Sequence, residues 1–431
     1  MKLFEELKLR GLVASMSGDV ENLVNNEKEP TVFYVGTDPT ADSLHLGHLL
    51  AFTTAKLLQK HGHKPIVLLG GATAFIGDPS FKSEERKLLS AETVAHNIEG
   101  IRAQVSKLID FNSKEPNAAI MVNNYDWMKD MSFIDFAREV GKCITVNYMM
   151  AKDSVKKRIE REGTGMSFTE FTYQLIQGND FVELYKKYGC KLQIGGSDQF
   201  GNGMTGVELI HKMLKRDDAC VLTWPLVTKA DGTKFGKSEK GNIWLDPTKT
   251  TPYEFYQFWL NQSDADSERF IKLFTMIDIN EIDAIIEEHK KAPEKRLLQN
   301  TLAKYMTCLV HSEDEYNKAV EASEILFGKG TMDDIASLDE KTFLAAMNGV
   351  PTVEVDKSNF ESGVTVIDLA AMHDKVPSKS EARKLIKSNG FSINKIKADT
   401  EKELVTSPYL INGKYLLLQK GKKDYTLIKA V

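Results

Sequence analysis

Two histidines three residues apart, His45 and His48 of HLGH, stand where a strand-like run gives way to a helical pattern. At that spacing they share one helix face. Such a pair could donate to a phosphate beside the N–H groups of a helix N-terminus, cap the helix, or hold a metal. A metal needs a third ligand, and no nearby His, Cys or Glu cluster supplies one. Far downstream, KADGTKFGKSEKGN (229–242) is polar and rich in glycine and lysine, which predicts a mobile surface loop. Its Lys234 and Lys237 could close over a triphosphate, or simply form a solvated basic turn. Another loop, GDPSFKSEER (77–86), carries Lys82 and Arg86. In YQLIQGND, Tyr173, Gln177 and Asp180 recur at i, i+4 and i+7, within about 60° of one another on a helix. They form a polar stripe among Phe171, Leu175, Ile176, Phe181 and Leu184. The stripe is either a solvent face or one wall of a polar pocket.

The elements that must hold these residues alternate. TVFYVG (31–36), PIVLLGG (65–71), AAIMVNN (118–124) and the start of CKLQIGGSDQFGN (190–202) read as strands. Residues 46–62, 168–189 and 207–216 read as helices. The β-α-β-α order implies an α/β domain with a mostly parallel sheet. Ligands in such domains sit at the carboxyl ends of strands, where Gly36, Gly70 with Gly71, and Gly195 with Gly196 fall. From about 247 to about 325 the chain becomes a succession of amphipathic helices. Residues 326–364 have scattered Gly, Asp, Ser and Pro and are expected to form a loose connector. From Val376 to the end, 12 Lys and Arg face 5 Asp and Glu, with Lys379, Arg383, Lys384 and Lys387 on a short helix. A basic face of that kind suits phosphate binding by counterion release, or is a solvated surface.

Bulk composition narrows the class. Of 431 residues, 42% are hydrophobic and 27% charged, an ordinary globular balance with material for a large core. The opening stretch is charged throughout, so no secretory leader is expected, and no apolar run is long enough for a membrane span. The four cysteines lie far apart and form no CxxC pair, which points away from a zinc ribbon or disulfide framework and toward a reducing compartment. A net charge of −5 argues against nucleic-acid binding over the whole surface, though not against a local basic patch.

HLGH together with the downstream KFGKS resembles the signature pair of class I aminoacyl-tRNA synthetases. The wider set YVGTDPTADSLHLGH, GGATAFIGDPS, NNYDW, YQLIQGND and GGSDQFGN is similar to the bacterial-type tyrosyl-tRNA synthetases, over essentially the whole chain. The resemblance implies a Rossmann-like parallel-sheet catalytic domain over 1–246, with an inserted helical segment at about 110–165 carrying a homodimer contact. A helical domain on the anticodon side over 247–325 would follow, then the connector 326–364. A small α+β S4-like RNA-binding domain would end the chain at 365–431.

The implied substrates are L-tyrosine, ATP and tRNA(Tyr), with Mg2+ accompanying the nucleotide, no zinc, no membrane and a cytoplasmic location. By the same resemblance, Asp180 accepts a hydrogen bond from the substrate phenol and Tyr34 donates one to it. Tyr173, Gln177 and Asp78 surround the ammonium, and Asn124 and Gln199 complete the lining. Thr40 and His45 hold the γ-phosphate. His48, Asp38 and Asp198 face the ribose or adenosine, while Gly36 and Gly47 allow close backbone approach. Lys82, Arg86, Lys234 and Lys237 lie on loops that close around the leaving pyrophosphate.

The chain departs from the family pattern at Phe81, where glycine is common, at Phe235–Gly236 in the lysine loop, and at Ala51, which offers no hydroxyl one turn beyond His48. Two rivals remain at this point: another nucleotidyltransferase using an HxGH motif, and a non-catalytic RNA-binding protein derived from a synthetase. The lysine loop and basic tail are superfluous to the first. The intact set of His45, His48, Lys234, Lys237 and Asp180 speaks against the second.

Overall fold

The computed structural model describes residues 1–431 apart from 27, 79–88, 160–164, 239–240, 329–330, 348–349 and 422–423. Met1–Thr250 with Trp259–Val310 form one compact unit, and Thr251–Phe258 with His311–Val431 form a second.

The first unit is built on a six-stranded sheet. Its strands are β1 (Ser15–Ser17), β2 (Val32–Thr37), β3 (Lys64–Leu69), β4 (Ile120–Asn123), β5 (Leu192–Gly196) and β6 (Cys220–Trp224), in the order β1-β6-β5-β2-β3-β4. All neighbours pair in parallel except β1, which runs antiparallel on the edge beside β6. Apolar runs such as Ile66–Leu69 are buried, as a parallel strand covered on both faces requires. The chain runs outward through β2, β3 and β4, then returns to the other side of β2 for β5 and β6. Connections leaving β2 and β5 therefore diverge, and a crevice opens at their carboxyl ends.

Helix ends obey local chemistry. Ser167 and Glu170 form a reciprocal capping box at the start of the Phe168–Tyr188 helix, and Gly189 closes it in the left-handed region. Strands β2 to β5 and the helices Leu46–Lys60 and Phe168–Tyr188 lie where periodicity predicts them, within a few residues. Strands β1 and β6 escape it, being short and without clear alternation. The helix expected over 207–216 begins earlier, at Phe200, straight from a 3-10 turn over Ser197–Gln199. Four short helices, Tyr125–Met128, Phe133–Glu139, Val146–Met150 and Asp153–Ile159, follow β4. The helical segment expected at about 110–165 thus begins after a strand of the main sheet.

The region expected as one helical domain, 247–325, is shared between the two units. Helices Asp264–Phe274, Ile279–Lys291 and Leu297–Val310 belong to the first unit, and Glu313–Phe327 belongs to the second. Trp259, Phe270 and Phe274 pack on Phe235, which ties them to the sheet-bearing part of the chain.

The second unit carries a five-stranded sheet in the order Ile396–Lys397, Phe391–Ile393, Tyr415–Lys420, Asp424–Ala430, Thr352–Val355. Thr352–Val355 pairs in parallel with Asp424–Ala430, and Phe360 is fully buried in the core beneath. The stretch expected as a loose connector therefore supplies an edge strand and a core aromatic. A four-residue strand whose partner lies far along the chain leaves no local periodic signal. The short helix Lys379–Lys387 forms as expected, capped by Ser378, with Ala382 and Ile386 buried and its lysines outward.

Candidate active site

A cavity of about 1010 Å³ opens at the carboxyl ends of β2 and β5. It is lined from the end of β2, the first turn of the Leu46–Lys60 helix, the polar stripe of the Phe168–Tyr188 helix, the turn after β5, and the lysine loop.

Its deepest wall is polar and dry. Asp180 is only 1% exposed, as is Tyr34. Burial pushes the Asp180 carboxyl up to about 7, against hydrogen bonds that favour its ionised form. Those bonds come from Asn124 Nδ2 to Oδ2 at 3.0 Å and from Trp127 Nε1 to Oδ1 at 2.9 Å. The Tyr34 hydroxyl lines the same cavity and is buried without a hydrogen-bond partner among the described residues. Burial, then the charge of Asp180, raises its pKa well above the ordinary phenol value. A buried donor left unpaired costs free energy comparable to a lost hydrogen bond. A ligand oxygen between Tyr34 and Asp180 would relieve that cost.

One chain of hydrogen bonds runs from this wall to the other end of the pocket. Asn124 Nδ2 also donates to Thr73 Oγ1 at 3.1 Å, and Thr73 donates to Asp38 Oδ1 at 2.6 Å. Tyr173 donates to Asp38 Oδ2 at 2.9 Å. The Ala72 N–H donates to Asn124 Oδ1 at 2.7 Å, which fixes the orientation of that amide. A second chain fixes the neighbouring amides: Asn202 donates to Gln177, Gln177 to Gln199, and Gln199 to Asp78 and Asp198. Burial first, then the charges of Asp38 and Asp78, raise the Tyr173 phenol well above its usual value. Two carboxylates facing one buried hydroxyl make this end of the pocket a place for a cation.

At the mouth, both alternatives raised for HLGH meet in one geometry. His45 is the N-cap of the Leu46–Lys60 helix, and its Nδ1 accepts the Gly47 N–H at 3.0 Å. The His45 N–H in turn donates to His48 Nδ1 at 3.2 Å. Each Nδ1 accepts from a backbone donor, so the neutral ring carries its proton on Nε2 and presents a donor there. The rings stack with centroids 3.9 Å apart. A side chain at Gly47 would place Cβ 2.8 Å from His45 Cε1, so glycine is what lets the imidazole fold over the helix end. Trp244 meets the His45 ring edge-on at 5.7 Å. Among the described residues, no group of three His, Cys, Asp or Glu side chains forms a metal site.

The lysine loop is anchored rather than loose. Phe235 is buried, with its ring centroid 4.7 Å from that of Phe270 and 5.2 Å from that of Phe274. Gly236, at φ +76°, turns the chain against Leu46. Lys234 and Lys237 on either side are exposed and line the cavity. Aromatic Phe235 thus acts as a peg between two outward cations.

Of the residues singled out from sequence, Tyr34, Gly36, Asp38, Thr40, His45, Gly47, His48, Asp78, Tyr173, Gln177, Asp180, Asp198, Gln199, Lys234 and Lys237 all line this cavity. Asn124 lies behind it and reaches it through Asp180. Asp38, expected on the nucleotide side, bonds Tyr173 and Thr73. Lys82 and Arg86, with Phe81, fall outside the described residues. Sequence reasoning gave no role to Trp127, Thr73 or Asn202. All three lie inside or directly after quoted motifs (NNYDW, GGATAF, GGSDQFGN), which is the signal that could have found them.

Comparison with known proteins follows the same lines. Residues 25–328 match the family model for tRNA synthetases class I (W and Y), and residues 342–428 match one for a tyrosine–tRNA ligase SYY-like C-terminal domain. The chain is 54% identical over 432 residues to a tyrosine–tRNA ligase of Bacteroides thetaiotaomicron, covering 100% of both chains. It is 56% identical over 436 residues to one of Flavobacterium johnsoniae, covering 100% of this chain and 99% of that one. Among solved structures, a C-terminally truncated mitochondrial tyrosyl-tRNA synthetase of Aspergillus nidulans superposes with TM-score 0.66 at 32% identity, over 75% of this chain and 93% of that one.

Proposed function

The chain belongs to the tyrosine–tRNA ligases, class I tRNA synthetases of the W and Y group, and on that premise we propose which of its residues carry each step. The enzyme is an ATP-dependent ligase that joins tyrosine to tRNA(Tyr).

In the first step the tyrosine carboxylate attacks the α-phosphorus of ATP and pyrophosphate leaves. The carboxylate is already ionised at neutral pH, so no general base is required. Catalysis then rests on positioning and on stabilising charge as it moves onto the leaving group. Asp180 accepts the phenol O–H of the substrate, and Tyr34 donates to its oxygen. Asp78, Tyr173 and Gln177 surround the ammonium, and Gln199 and Asn124 hold them in register. Thr40 and the Nε2–H of His45 hold the γ-phosphate. His48 and Asp198, beside the backbone at Gly36 and Gly47, receive the ribose and adenine, while Asp38, bonded to Tyr173, adds its charge to the ammonium end. Lys234 and Lys237 close over the departing pyrophosphate, and Lys82 and Arg86 are assigned there from the sequence motif alone. Contacts made only in the transition state raise kcat rather than affinity. Mg2+ would accompany the nucleotide and share the charge of its phosphates. In the second step the tRNA 3′-terminal hydroxyl attacks the tyrosyl-adenylate.

The observation that carries these roles is the Tyr34 hydroxyl, buried beside Asp180 with no hydrogen-bond partner among the described residues, in a cavity that His45 and His48 also line. A pocket built to bond a hydroxyl leaves its own buried groups unpaired when phenylalanine enters, and discrimination by tyrosine enzymes is the standard example. Asp180→Ala is expected to abolish most tyrosine binding and to collapse discrimination against phenylalanine in ATP–pyrophosphate exchange. Unchanged discrimination would refute the phenol assignment.

We propose further that the enzyme is a cytoplasmic homodimer with an S4-type RNA-binding domain at its C-terminus. Supporting the dimer are large apolar side chains left exposed in and beside the helical insertion: Phe133, Ile134, Val146, Met150 and Phe168. Supporting the RNA-binding role is the Lys379–Lys387 helix. There Lys379 pairs with Asp368 and Arg383 with Glu401, while exposed Lys384 and Lys387 have no acidic partner among the described residues. Four free cysteines suit a reducing compartment.

A further inference from the structure

We propose that Arg10, held by Glu6, is a positioning residue for pyrophosphate departure, acting through the helix on which the lysine loop is seated. The inference rests on the reading that Lys234 and Lys237 stabilise the leaving group.

Arg10 ends the first helix, Leu3–Arg10, and is 2% exposed. Its guanidinium donates to the carbonyls of Lys272 at 3.1 Å, Thr275 at 2.8 Å and Ile277 at 2.7 Å. These lie at and just beyond the C-terminal end of the Asp264–Phe274 helix, where backbone carbonyls lack partners within the helix and the dipole is negative. The Arg10 Nε–H donates to Glu6 Oε1 at 2.8 Å, completing the planar fork. One buried side chain thus fixes the end of that helix.

That helix is the seat of the lysine loop. Phe270 and Phe274 receive the Phe235 ring, Asp266 accepts the Ala230 N–H at 2.8 Å, and Arg269 donates to the Thr228 carbonyl. Lys234 and Lys237 flank Phe235, so a displacement of the helix displaces both ammonium groups. Glu6 also reaches the second phosphate-handling element. Its Oε2 lies 3.1 Å from Nε2 of His61, the C-cap residue of the helix whose first turn carries His45 and His48. Lys60 reaches the Met276 carbonyl at 3.4 Å. The Glu6–Arg10 pair therefore ties together the C-terminal ends of two helices, one carrying the imidazoles and the other seating the lysines. Glu6, Arg10, Lys60 and His61 do not themselves line the cavity.

A residue that only held the fold would depress every step alike. A positioning role predicts a split. In tyrosine-dependent ATP–pyrophosphate exchange with the full chain, Arg10→Gln is expected to lower kcat about tenfold while the tyrosine KM stays within about twofold. In a Lys237→Ala background the same change should cost clearly less, about threefold, because part of its effect runs through Lys237. An equal change in the tyrosine KM, or a loss that multiplies in the Lys237→Ala background, overturns the proposal. Glu6→Gln leaves the guanidinium on its three carbonyls and serves should Arg10→Gln fail to fold. It is expected to lower kcat about threefold with the same masking by Lys237→Ala, and a wild-type kcat in it overturns the proposal equally. If Lys237→Ala alone leaves kcat unchanged, the reading of the lysine loop fails instead, and the two failures are distinct.

Discussion

The Trp127 indole N–H and the Asn124 amide grip the two oxygens of the Asp180 carboxylate, at 2.9 and 3.0 Å. Asn124 directly follows β4 and Trp127 lies in the next short helix, Tyr125–Met128, while Asp180 sits in the middle of another helix, so the carboxylate is aimed by different elements from the one that carries it. Burial opposes ionisation and the two donors favour it, leaving the group poised at about 7. The charge on the wall that holds Asp180 therefore changes around neutral pH.

Tyrosine affinity should fall as pH drops below neutrality. A phenol O–H donated to Asp180 favours the ionised form, so binding lowers a pKa that stands at about 7 in the free enzyme. Protons must then be released on binding below that value. The association constant should rise up to about tenfold per pH unit on the acid side and level off above about 7. Calorimetric titration across the neutral range checks this, with Asp180→Asn expected to be flat. Trp127→Phe removes a donor that favours the anion and should move the plateau to higher pH. Affinity that increases toward acid would exclude ionised Asp180 as the acceptor.

The stacked imidazoles make a second expectation specific. His45→Ala should lower the rate of tyrosine activation about 10²–10³-fold with little change in tyrosine affinity, the usual effect of removing one preorganised donor. Gly47→Ala leaves both imidazoles in the sequence, yet its Cβ would stand 2.8 Å from His45 Cε1. It should reproduce most of the His45→Ala loss in pre-steady-state activation. A Gly47→Ala enzyme with normal activation and impaired adenine binding would instead assign Gly47 to nucleotide approach alone.

Most of this site was legible because its residues cluster in short motifs at strand ends and on one helical stripe. Tyr173, Gln177 and Asp180 fall on one face by helix geometry alone, and Gly36 and Gly195 mark where parallel strands stop. What escaped was whatever depends on pairing across the chain. The Trp127 bond to Asp180 joins residues 53 positions apart, and the Arg10 bond to Thr275 joins residues 265 apart. No periodicity encodes either. Phe235 misled for a related reason: in a polar, glycine-rich loop an aromatic looks incidental until its partners Phe270 and Phe274 are known. The strand Thr352–Val355 was hidden likewise, since it pairs with Asp424–Ala430, far along the chain.

Binding of tRNA should report on the basic helix of the second unit. Lys384 and Lys387 lack acidic partners among the described residues, whereas Arg383 is paired with Glu401. The double change Lys384→Ala, Lys387→Ala should weaken tRNA(Tyr) binding and reduce the slope of log K against log salt concentration by about 1.5, since each phosphate a lysine neutralises adds roughly 0.7–0.9 to that slope. Tyrosine-dependent ATP–pyrophosphate exchange, which needs no tRNA, should be unchanged. A salt slope equal to that of the unaltered enzyme would place the RNA on another face.

The exposed apolar side chains of the insertion make the oligomeric state testable. Phe133 is 69% and the next residue, Ile134, 74% exposed, and the Phe133 ring meets that of Phe168 edge-on at 6.5 Å, so Phe133 and Phe168 share one patch. Leaving such a patch in water forfeits burial worth about 1.5–3 kcal/mol for each large side chain. A second copy of the same patch would recover it in a symmetric interface. Sedimentation of the unaltered chain at micromolar concentration should give a dimer. Ile134→Asp puts a charge into the exposed patch and should yield a folded monomer, with the Asp180 pocket still binding tyrosine at low concentration. A monomer in the unaltered protein, or a dimer that survives both Phe133→Asp and Ile134→Asp, would remove this patch as the dimer interface.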